Sequence, residues 1–295
     1  MARRLAILAL ANFAIAFAQS PAFAPAYFHE SDKRETLLTL LPAQSPAVTL
    51  ALPGVRGTPT LVGGNPDGTS IYIQPWNTKG VTKLEFKSAR QSLVPGSEAL
   101  DRVSFVTAST TGRLFLTGCR KAEPIWECGV FEIDPAGAAR PRRIREGFSQ
   151  SYGEVSPDGT RALLTEGNFL SHVPIRLSVV DLATGGAQAI KGASSGSWSP
   201  DGRWLAVLRN NRLELLDATT LVRHKNLGSA DALGVWSPDS KYMLFIKSQF
   251  SCILTLYFES LETIDVDTGK RKLVRGSHCE VGGGWWTWAD PAAVQ

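Results

Sequence analysis

The sequence has no basic stripe and no run of like charges. Its 31 Lys and Arg residues and 27 Asp and Glu residues leave a formal net charge of only +4 on 295 residues. Domains that bind nucleic acid concentrate Lys and Arg on one face or along one helix. We therefore expect neither a nucleic-acid partner nor any other polyanion.

Histidine is also scarce, with four residues and no regular spacing to acids or serines: His29, His172, His224 and His278. This scatter predicts no catalytic triad, no metal centre and no cofactor. One G-x-S-x-G match runs from Gly192 to Gly196. A nucleophile elbow needs a helix after the serine, whereas another predicted strand follows here, so we do not expect a catalytic serine.

A long apolar run is missing as well. Two arginines precede an uncharged apolar run from Leu5 to about Ala14, which is shorter than the roughly 20 residues of a membrane span. We interpret residues 1–18 as a signal peptide cleaved after Ala18, with Ala24 as the alternative site and an uncleaved anchor as the alternative interpretation. The protein is then periplasmic or secreted and has no stable membrane span after processing.

The composition is that of a folded protein rich in turns. With 43% hydrophobic and 20% charged residues, the chain can bury a large core, which excludes disorder and a disulfide-stapled mini-protein. The 27 Gly and 17 Pro residues are spread along the chain. This distribution favours an all-β fold with many tight connections.

One four-residue turn recurs along the chain. Its copies are Asn65-Pro66-Asp67-Gly68, Ser156-Pro157-Asp158-Gly159, Ser199-Pro200-Asp201-Gly202, Ser237-Pro238-Asp239-Ser240 and the degenerate Ser109-Thr110-Thr111-Gly112. Proline presets φ at the second position, and glycine relieves strain at the fourth. The last residues of the copies, at 68, 112, 159, 202 and 240, lie 44, 47, 43 and 38 residues apart, which is about the length of one four-stranded propeller blade.

A second signature follows in the same repeats, as Asp181-Leu182-Ala183-Thr184-Gly185 and Asp265-Val266-Asp267-Thr268-Gly269. We interpret these aspartates as turn caps rather than as a metal site. The pairing of W-S-P-D-G with D-x-x-T-G resembles the TolB-type, WD-like six-bladed propellers of bacterial envelopes, over roughly residues 30–295. The resemblance implies the repeat type and not a function, because the motif is structural. TolB also has an N-terminal α/β domain, whose role is not transferred.

The two ends of the chain decide the blade count. Trp288-Ala289-Asp290-Pro291 looks like a further first strand with its turn. Three strand-like stretches near the N-terminus, at 26–29, 36–41 and 47–52, complete that blade. The sequence therefore predicts an all-β, six-bladed β-propeller of four-stranded antiparallel blades, closed by pairing the C-terminal strand with N-terminal strands. We expect a single domain over residues 26–295 and a monomer.

Antiparallel order divides the connections between two faces. With strands A to D in each blade, the A–B and C–D turns form one face, here called the turn face. The B–C and D–A loops form the other, here called the loop-bearing face. All four cysteines fall on the loop-bearing face, and an even count in an exported protein favours two bridges, Cys119–Cys128 and Cys252–Cys279. A zinc site with His278 is the alternative.

The loop-bearing face also holds the candidate binding residues Trp126, Phe250, Tyr257 and Trp285. The stretch from Ser248 to Ser260 forms either an apolar contact patch or extra strand. We expect a non-catalytic propeller that binds another envelope protein through this face. The alternatives are a small ligand or sugar in the central channel and, less favoured, an enzyme with its active site there.

Overall fold

The computed structural model describes residues 23–30, 35–41, 47–56, 60–75, 78–122, 125–133, 142–146, 153–166, 176–250, 257–279 and 286–290. These residues form six antiparallel sheets of four strands each, which are the blades. In hydrogen-bonding order, blade 1 is β24 (Trp286–Ala289), β1 (Ala24–Glu30), β2 (Glu35–Leu40) and β3 (Val48–Arg56). Blade 2 is β4 (Thr60–Gly64), β5 (Ser70–Gln74), β6 (Thr82–Glu85) and β7 (Gln91–Leu93). Blade 3 is β8 (Arg102–Ala108), β9 (Leu114–Ala122), β10 (Ile125–Ile133) and β11 (Arg142–Glu146).

The other three blades follow the same order. Blade 4 is β12 (Gly153–Val155), β13 (Arg161–Glu166), β14 (Arg176–Asp181) and β15 (Ala187–Ile190). Blade 5 is β16 (Ala193–Trp198), β17 (Trp204–Arg209), β18 (Arg212–Asp217) and β19 (Arg223–Ser229). Blade 6 is β20 (Val235–Trp236), β21 (Tyr242–Phe250), β22 (Tyr257–Asp265) and β23 (Arg271–Cys279). A short 3₁₀ helix, η1 (Ser97–Ala99), connects β7 to β8. No helix in the described part of the chain is long and apolar enough to cross a membrane.

The first strand of each blade lies next to the central axis. Contacts between blades run from β4 to β8, β12, β16, β20 and β24, and then return to β4. A closed series of this kind places the first strands around a channel, with the later strands of each blade farther out. The predicted six-bladed propeller is confirmed.

The two ends of the chain close the ring within blade 1. Strand β24 pairs with β1, with Ala289 opposite Ala24 and Thr287 opposite Ala26. Ala24 is buried, and Phe23 packs in the cluster that contains Trp288. The predicted closure is therefore confirmed. The predicted signal peptide lies outside the described residues.

The core consists of six hydrophobic clusters, and each cluster joins two neighbouring blades. Between blades 4 and 5, for example, Leu163 and Val179 pack against Trp198 and Val207. The cluster between blades 6 and 1 contains Leu244 and Trp288. Each blade thus shields its neighbours, and none of the clusters among the described residues lies within a single blade, as expected for a repeat fold.

Tryptophans at the end of the inner strands also form hydrogen bonds between blades. The Trp236 indole Nε1 donates to the Ser197 main-chain oxygen of the preceding blade, at 3.2 Å. The Trp288 Nε1 donates to the Val235 oxygen in the same way, at 2.9 Å. Trp198 occupies the equivalent position in blade 5, but its buried Nε1 has no hydrogen-bond partner among the described residues.

The recurrent turn has the geometry that its residues favour. The Gly159 N–H donates to the Ser156 oxygen at 2.8 Å, and Gly159 has a positive φ of 73°. The Asp158 carboxylate accepts hydrogen bonds from the Ser156 hydroxyl and from the Thr160 main-chain and side-chain groups. The side chain of Asp158 therefore caps the turn.

The second aspartate signature has the same role. Asp181 Oδ1 accepts from the Thr184 N–H at 2.7 Å and from its hydroxyl at 2.8 Å, and these bonds hold the pKa of Asp181 below its usual value. Asp265 Oδ1 accepts equivalent bonds from Thr268, at 2.7 and 2.8 Å. Both carboxylates are thus engaged within their own turns.

Candidate functional site

The loop-bearing face carries an exposed tryptophan. Trp126 lies at the start of β10, directly opposite Lys121 of β9, and 46% of its surface is exposed. The guanidinium carbon of Arg102 lies 5.2 Å from the centre of the Trp126 ring. An exposed indole stacked against a guanidinium is typical of residues that contribute strongly to protein interfaces.

Ion pairs fix the chain around this tryptophan. Asp101 Oδ1 lies 2.6 Å from Lys79 Nζ, and its other oxygen accepts from the Lys121 N–H at 2.7 Å. The hydrogen bond from Lys79 is the main cause of the lowered pKa of Asp101. Arg120 Nε lies 2.6 Å from Glu127 Oε2 across the hairpin. These contacts connect the base of the hairpin to the neighbouring loops and link its two strands.

A disulfide bond joins the same two strands. Cys119 and Cys128 face each other in the β9–β10 register and are covalently linked, which is the pairing that the sequence favours. The bridge lies two residues from Trp126 along β10. It therefore limits the conformations available to the hairpin that presents the indole.

A second candidate site lies in the channel wall, where strand β12 places Glu154 against blade 5. Glu154 Oε2 accepts from the Trp198 main-chain N–H at 3.3 Å, and its carboxyl is also hydrogen-bonded to the Ser197 side chain. At the preceding junction, Thr107 Oγ1 accepts from the Val155 N–H at 3.2 Å. Glu154 and Thr107 therefore have the same role at their junctions: each side chain accepts a hydrogen bond from a main-chain N–H of the next blade, Glu154 with its carboxyl and Thr107 with its hydroxyl.

The environment of Glu154 favours its neutral form. Burial raises the pKa of Glu154 to about 8, although hydrogen bonds from Ser197 and Trp198 act in the opposite direction. Among the described residues, no Lys, Arg or His forms an ion pair with it. At neutral pH the free protein therefore holds a carboxylic acid in its channel wall, and such perturbed groups are often functional.

Comparison with known proteins supports the fold. No protein-family model and no curated protein matches the chain. A structure from Agrobacterium tumefaciens, provisionally assigned to TolB, superposes with a TM-score of 0.52 at 14% sequence identity, covering 87% of this chain and 91% of that one. The fold is that of a TolB-like six-bladed propeller.

Two other propeller structures are less similar. A protein from Bacteroides uniformis, provisionally assigned as a 6-phosphogluconolactonase, has a TM-score of 0.47 and 14% identity, over 88% of this chain and 83% of that chain. An oligogalacturonate lyase from Vibrio parahaemolyticus has a TM-score of 0.42 and 11% identity, over 79% and 91%.

In this TolB-like propeller, two of the other predicted binding residues come together. Phe250 and Tyr257 pair directly at the end of the β21–β22 hairpin. The sequence predicts either an apolar contact patch or extra strand for the stretch from Ser248 to Ser260. The structure has strand in this stretch up to Phe250 and again from Tyr257. Trp285 lies outside the described residues.

The second predicted bridge is only partly within the described chain. Cys279 ends β23, opposite Phe258 of β22, whereas Cys252 lies outside the described residues. The Cys252–Cys279 bridge stays a prediction.

The serine motif of the TolB-like propeller lies in a strand. Gly192 occupies a turn with a φ of 73°, and strand β16 follows from Ala193 to Trp198. The next element is the Ser-Pro-Asp-Gly turn and then strand β17, so the motif lacks the strand–turn–helix arrangement of a nucleophile elbow. Ser194 Oγ donates to the Leu208 oxygen at 3.3 Å.

Sequence reasoning did not single out Glu154, although a signal was present. Aligning the repeats on their turns places Glu154 two residues before the turn, where other copies have Thr107 or Ser197. The acidic residue at this inner-strand position differs from the residues in the other copies, and this difference is the sequence signal for the site.

Proposed function

We propose that this protein is an exported, non-catalytic propeller that binds another protein of the cell envelope through its loop-bearing face. The observation that carries the proposal is the exposure of Trp126, at 46%, on a hairpin that a disulfide bond fixes. Large aromatic side chains on a rigid support lose little entropy on binding and often dominate interface energies.

The charges around Trp126 indicate how the partner is recognised. Arg102 stacks on the indole, and the side chain of Lys79 remains 67% exposed although it pairs with Asp101. A partner segment that offers an apolar or aromatic group to Trp126 and a carboxylate to these cations would match the surface.

The N-terminal pattern and the bridge support export. Structural disulfide bonds form in oxidising compartments such as the periplasm, and Cys119–Cys128 is such a bond. A periplasmic or secreted location is therefore part of the proposal, and fractionation of the tagged full-length chain tests it.

The binding proposal is tested with two single substitutions on opposite faces. Trp126→Ala removes the exposed indole, whereas Val222→Ala removes a side chain that is 65% exposed on the turn face. Each purified variant is used as bait in an envelope extract, and captured proteins are identified by mass spectrometry. We expect a specific partner whose recovery falls at least tenfold with Trp126→Ala and is unchanged with Val222→Ala.

Two results would contradict the proposal. Equal recovery with both variants would exclude Trp126 as an anchor of the interface. A purified wild-type protein that captures no partner but turns over an envelope substrate would make it an enzyme.

A further inference from the structure

Six equivalent residues form one level of the channel wall. Each lies on an innermost strand, two residues before the turn that follows: Gly63, Thr107, Glu154, Ser197, Val235 and Thr287. Hydrogen bonds between blades connect this level at several junctions, including those made by Ser197 and Val235. Glu154 is the only ionisable residue type among the six.

The Glu154 carboxyl lies on the channel side of the next inner strand. The Ser199 N–H donates to the Trp204 oxygen, so the main-chain N–H of Ser199 points toward β17. Because the main-chain groups of successive residues in a strand alternate in direction, the N–H of the preceding residue, Trp198, points away from β17. On an innermost strand this direction is toward the channel, and Glu154 Oε2 accepts the Trp198 N–H there.

The strands that pack against β12 supply no counter-ion. These strands are β8, β9, β13 and β16, and β16 has no charged residue. The charged residues of the other three are Arg102, Arg120, Lys121, Arg161 and Glu166. Of these, Arg161 lies over the Trp198 ring, 4.8 Å from its centre, and donates to the Ala218 oxygen. In the described part of the protein, none of the five forms an ion pair with Glu154.

Three junctions have a tryptophan at the end of the inner strand, and this one lacks the indole hydrogen bond that the other two form. Trp236 and Trp288 each donate to a main-chain oxygen of the preceding blade, whereas the Trp198 Nε1 is buried and unpaired among the described residues. A repeat that departs from its neighbours at a cost in stability is a place where a functional requirement is expected.

We propose that Glu154 binds the primary ammonium group of a small organic cation that enters the central channel. An ammonium group has three N–H donors and no acceptor. It can pair with the Glu154 carboxylate and donate its other hydrogens to oxygens on the channel-facing edges of the inner strands. The ligand thus supplies the positive charge that the neighbouring strands do not.

A divalent metal ion fits this wall less well. Sites for such ions are built from several oxygen ligands, usually with more than one carboxylate. Among the described residues there is no group of three or more His, Cys, Asp or Glu side chains that could hold a metal ion. The single carboxyl favours a monovalent ammonium group.

Binding of the cation is coupled to loss of a proton. Because the pKa of Glu154 is about 8 in the free protein, most molecules must lose the carboxyl proton when the ammonium group binds at pH 7. Alkylammonium ions stay charged because their pKa is about 10. The apparent affinity should therefore rise by up to about tenfold for each pH unit between 6 and 8.

Isothermal titration calorimetry with methylammonium and putrescine tests this proposal. The titrations use the wild-type protein, Glu154→Gln and the exposed control Glu98→Gln, in two buffers with different ionisation enthalpies. We expect saturable binding with release of about one proton at pH 7 in the wild type and in Glu98→Gln. Glu154→Gln should weaken binding at least tenfold and abolish proton release.

Several outcomes would overturn the proposal. They are the absence of saturable binding by either amine, unchanged binding in Glu154→Gln, and binding without proton release at pH 7. Binding of calcium or magnesium that requires Glu154, without binding of an amine, would assign the site to a metal instead. The proton-release measurement uses only the wild-type protein, so the test does not depend on the folding of a variant.

Discussion

Replacing Glu154 by glutamine should change how the stability of the protein depends on pH. The folded-state pKa of Glu154 is about 8, above the value of 4.5 that applies without the fold. Between these values the folded state holds the proton and the unfolded state releases it. The contribution of Glu154 to the free energy of unfolding is therefore fully present below pH 4.5 and is lost as the pH rises through 8.

The size of this loss of stability follows from the difference between the folded and unfolded pKa values of Glu154. Each pH unit in this range costs about 1.4 kcal/mol, so the complete loss at pH 8 and above is at most about 5 kcal/mol. Glu154 is only half-buried, so solvent screening reduces this figure, and a loss of about 2 to 4 kcal/mol is expected. Glutamine keeps an oxygen that can accept the Trp198 N–H but has no proton to lose.

Urea unfolding of the wild type and Glu154→Gln at pH 5, 6, 7, 8 and 8.5 measures the effect, with Glu98→Gln as control. The two free energies of unfolding should nearly coincide at pH 5, and the variant should exceed the wild type by about 2 to 4 kcal/mol at pH 8.5. The control should follow the wild type throughout. A difference between wild type and Glu154→Gln that is constant across this range would refute the assigned environment of Glu154.

Three further predictions concern the closure, the N-terminus and the bridge. Trp288→Phe removes an indole hydrogen bond between blades 6 and 1 and should lower the free energy of unfolding by about 1 to 2 kcal/mol in urea; no change would mean that the closure does not depend on this contact. A chain that begins at residue 25 lacks Phe23 and Ala24, which pack at the start of β1, and should have a thermal midpoint several degrees below that of a chain that begins at residue 19; equal midpoints would contradict the role of this segment. Replacing Cys119 and Cys128 by serine should cost at most about 3 kcal/mol, because the loop is short and the strands stay paired; an unfolded double variant would show that the hairpin depends on the bridge.

The fold could be predicted because the repeat shows in local chemistry. A turn such as Ser199-Pro200-Asp201-Gly202 restricts the backbone by itself, and its spacing gives the blade length without knowledge of distant contacts. The closure could also be predicted, because Trp288-Ala289-Asp290-Pro291 has the pattern of a first strand with its turn, and three strand-like stretches precede the first complete blade.

The candidate sites were harder to predict because they depend on contacts between blades. Trp126 was selected as an aromatic residue on the loop-bearing face, but its stacking with Arg102 depends on how β8 and β10 are placed in space. Glu154 was overlooked because its hydrogen bond to Trp198 joins residues 44 positions apart in different blades. A local sequence pattern does not show whether a carboxyl has an ion-pair partner in the folded protein.

The departures from the repeat still carry information, because every copy of a propeller repeat faces the same physical problem. At the inner-strand position two residues before the turn, five blades have residues that do not ionise, namely Gly63, Thr107, Ser197, Val235 and Thr287. Blade 4 has Glu154 there, whose burial in uncharged surroundings costs stability above pH 4.5. Its carboxyl lies at the junction between blades 4 and 5, where it accepts from the Trp198 N–H. A hydroxyl-bearing residue stands at this position in three other blades, as Thr107, Ser197 and Thr287, so the carboxyl in blade 4 favours the proposed ligand at this point of the channel.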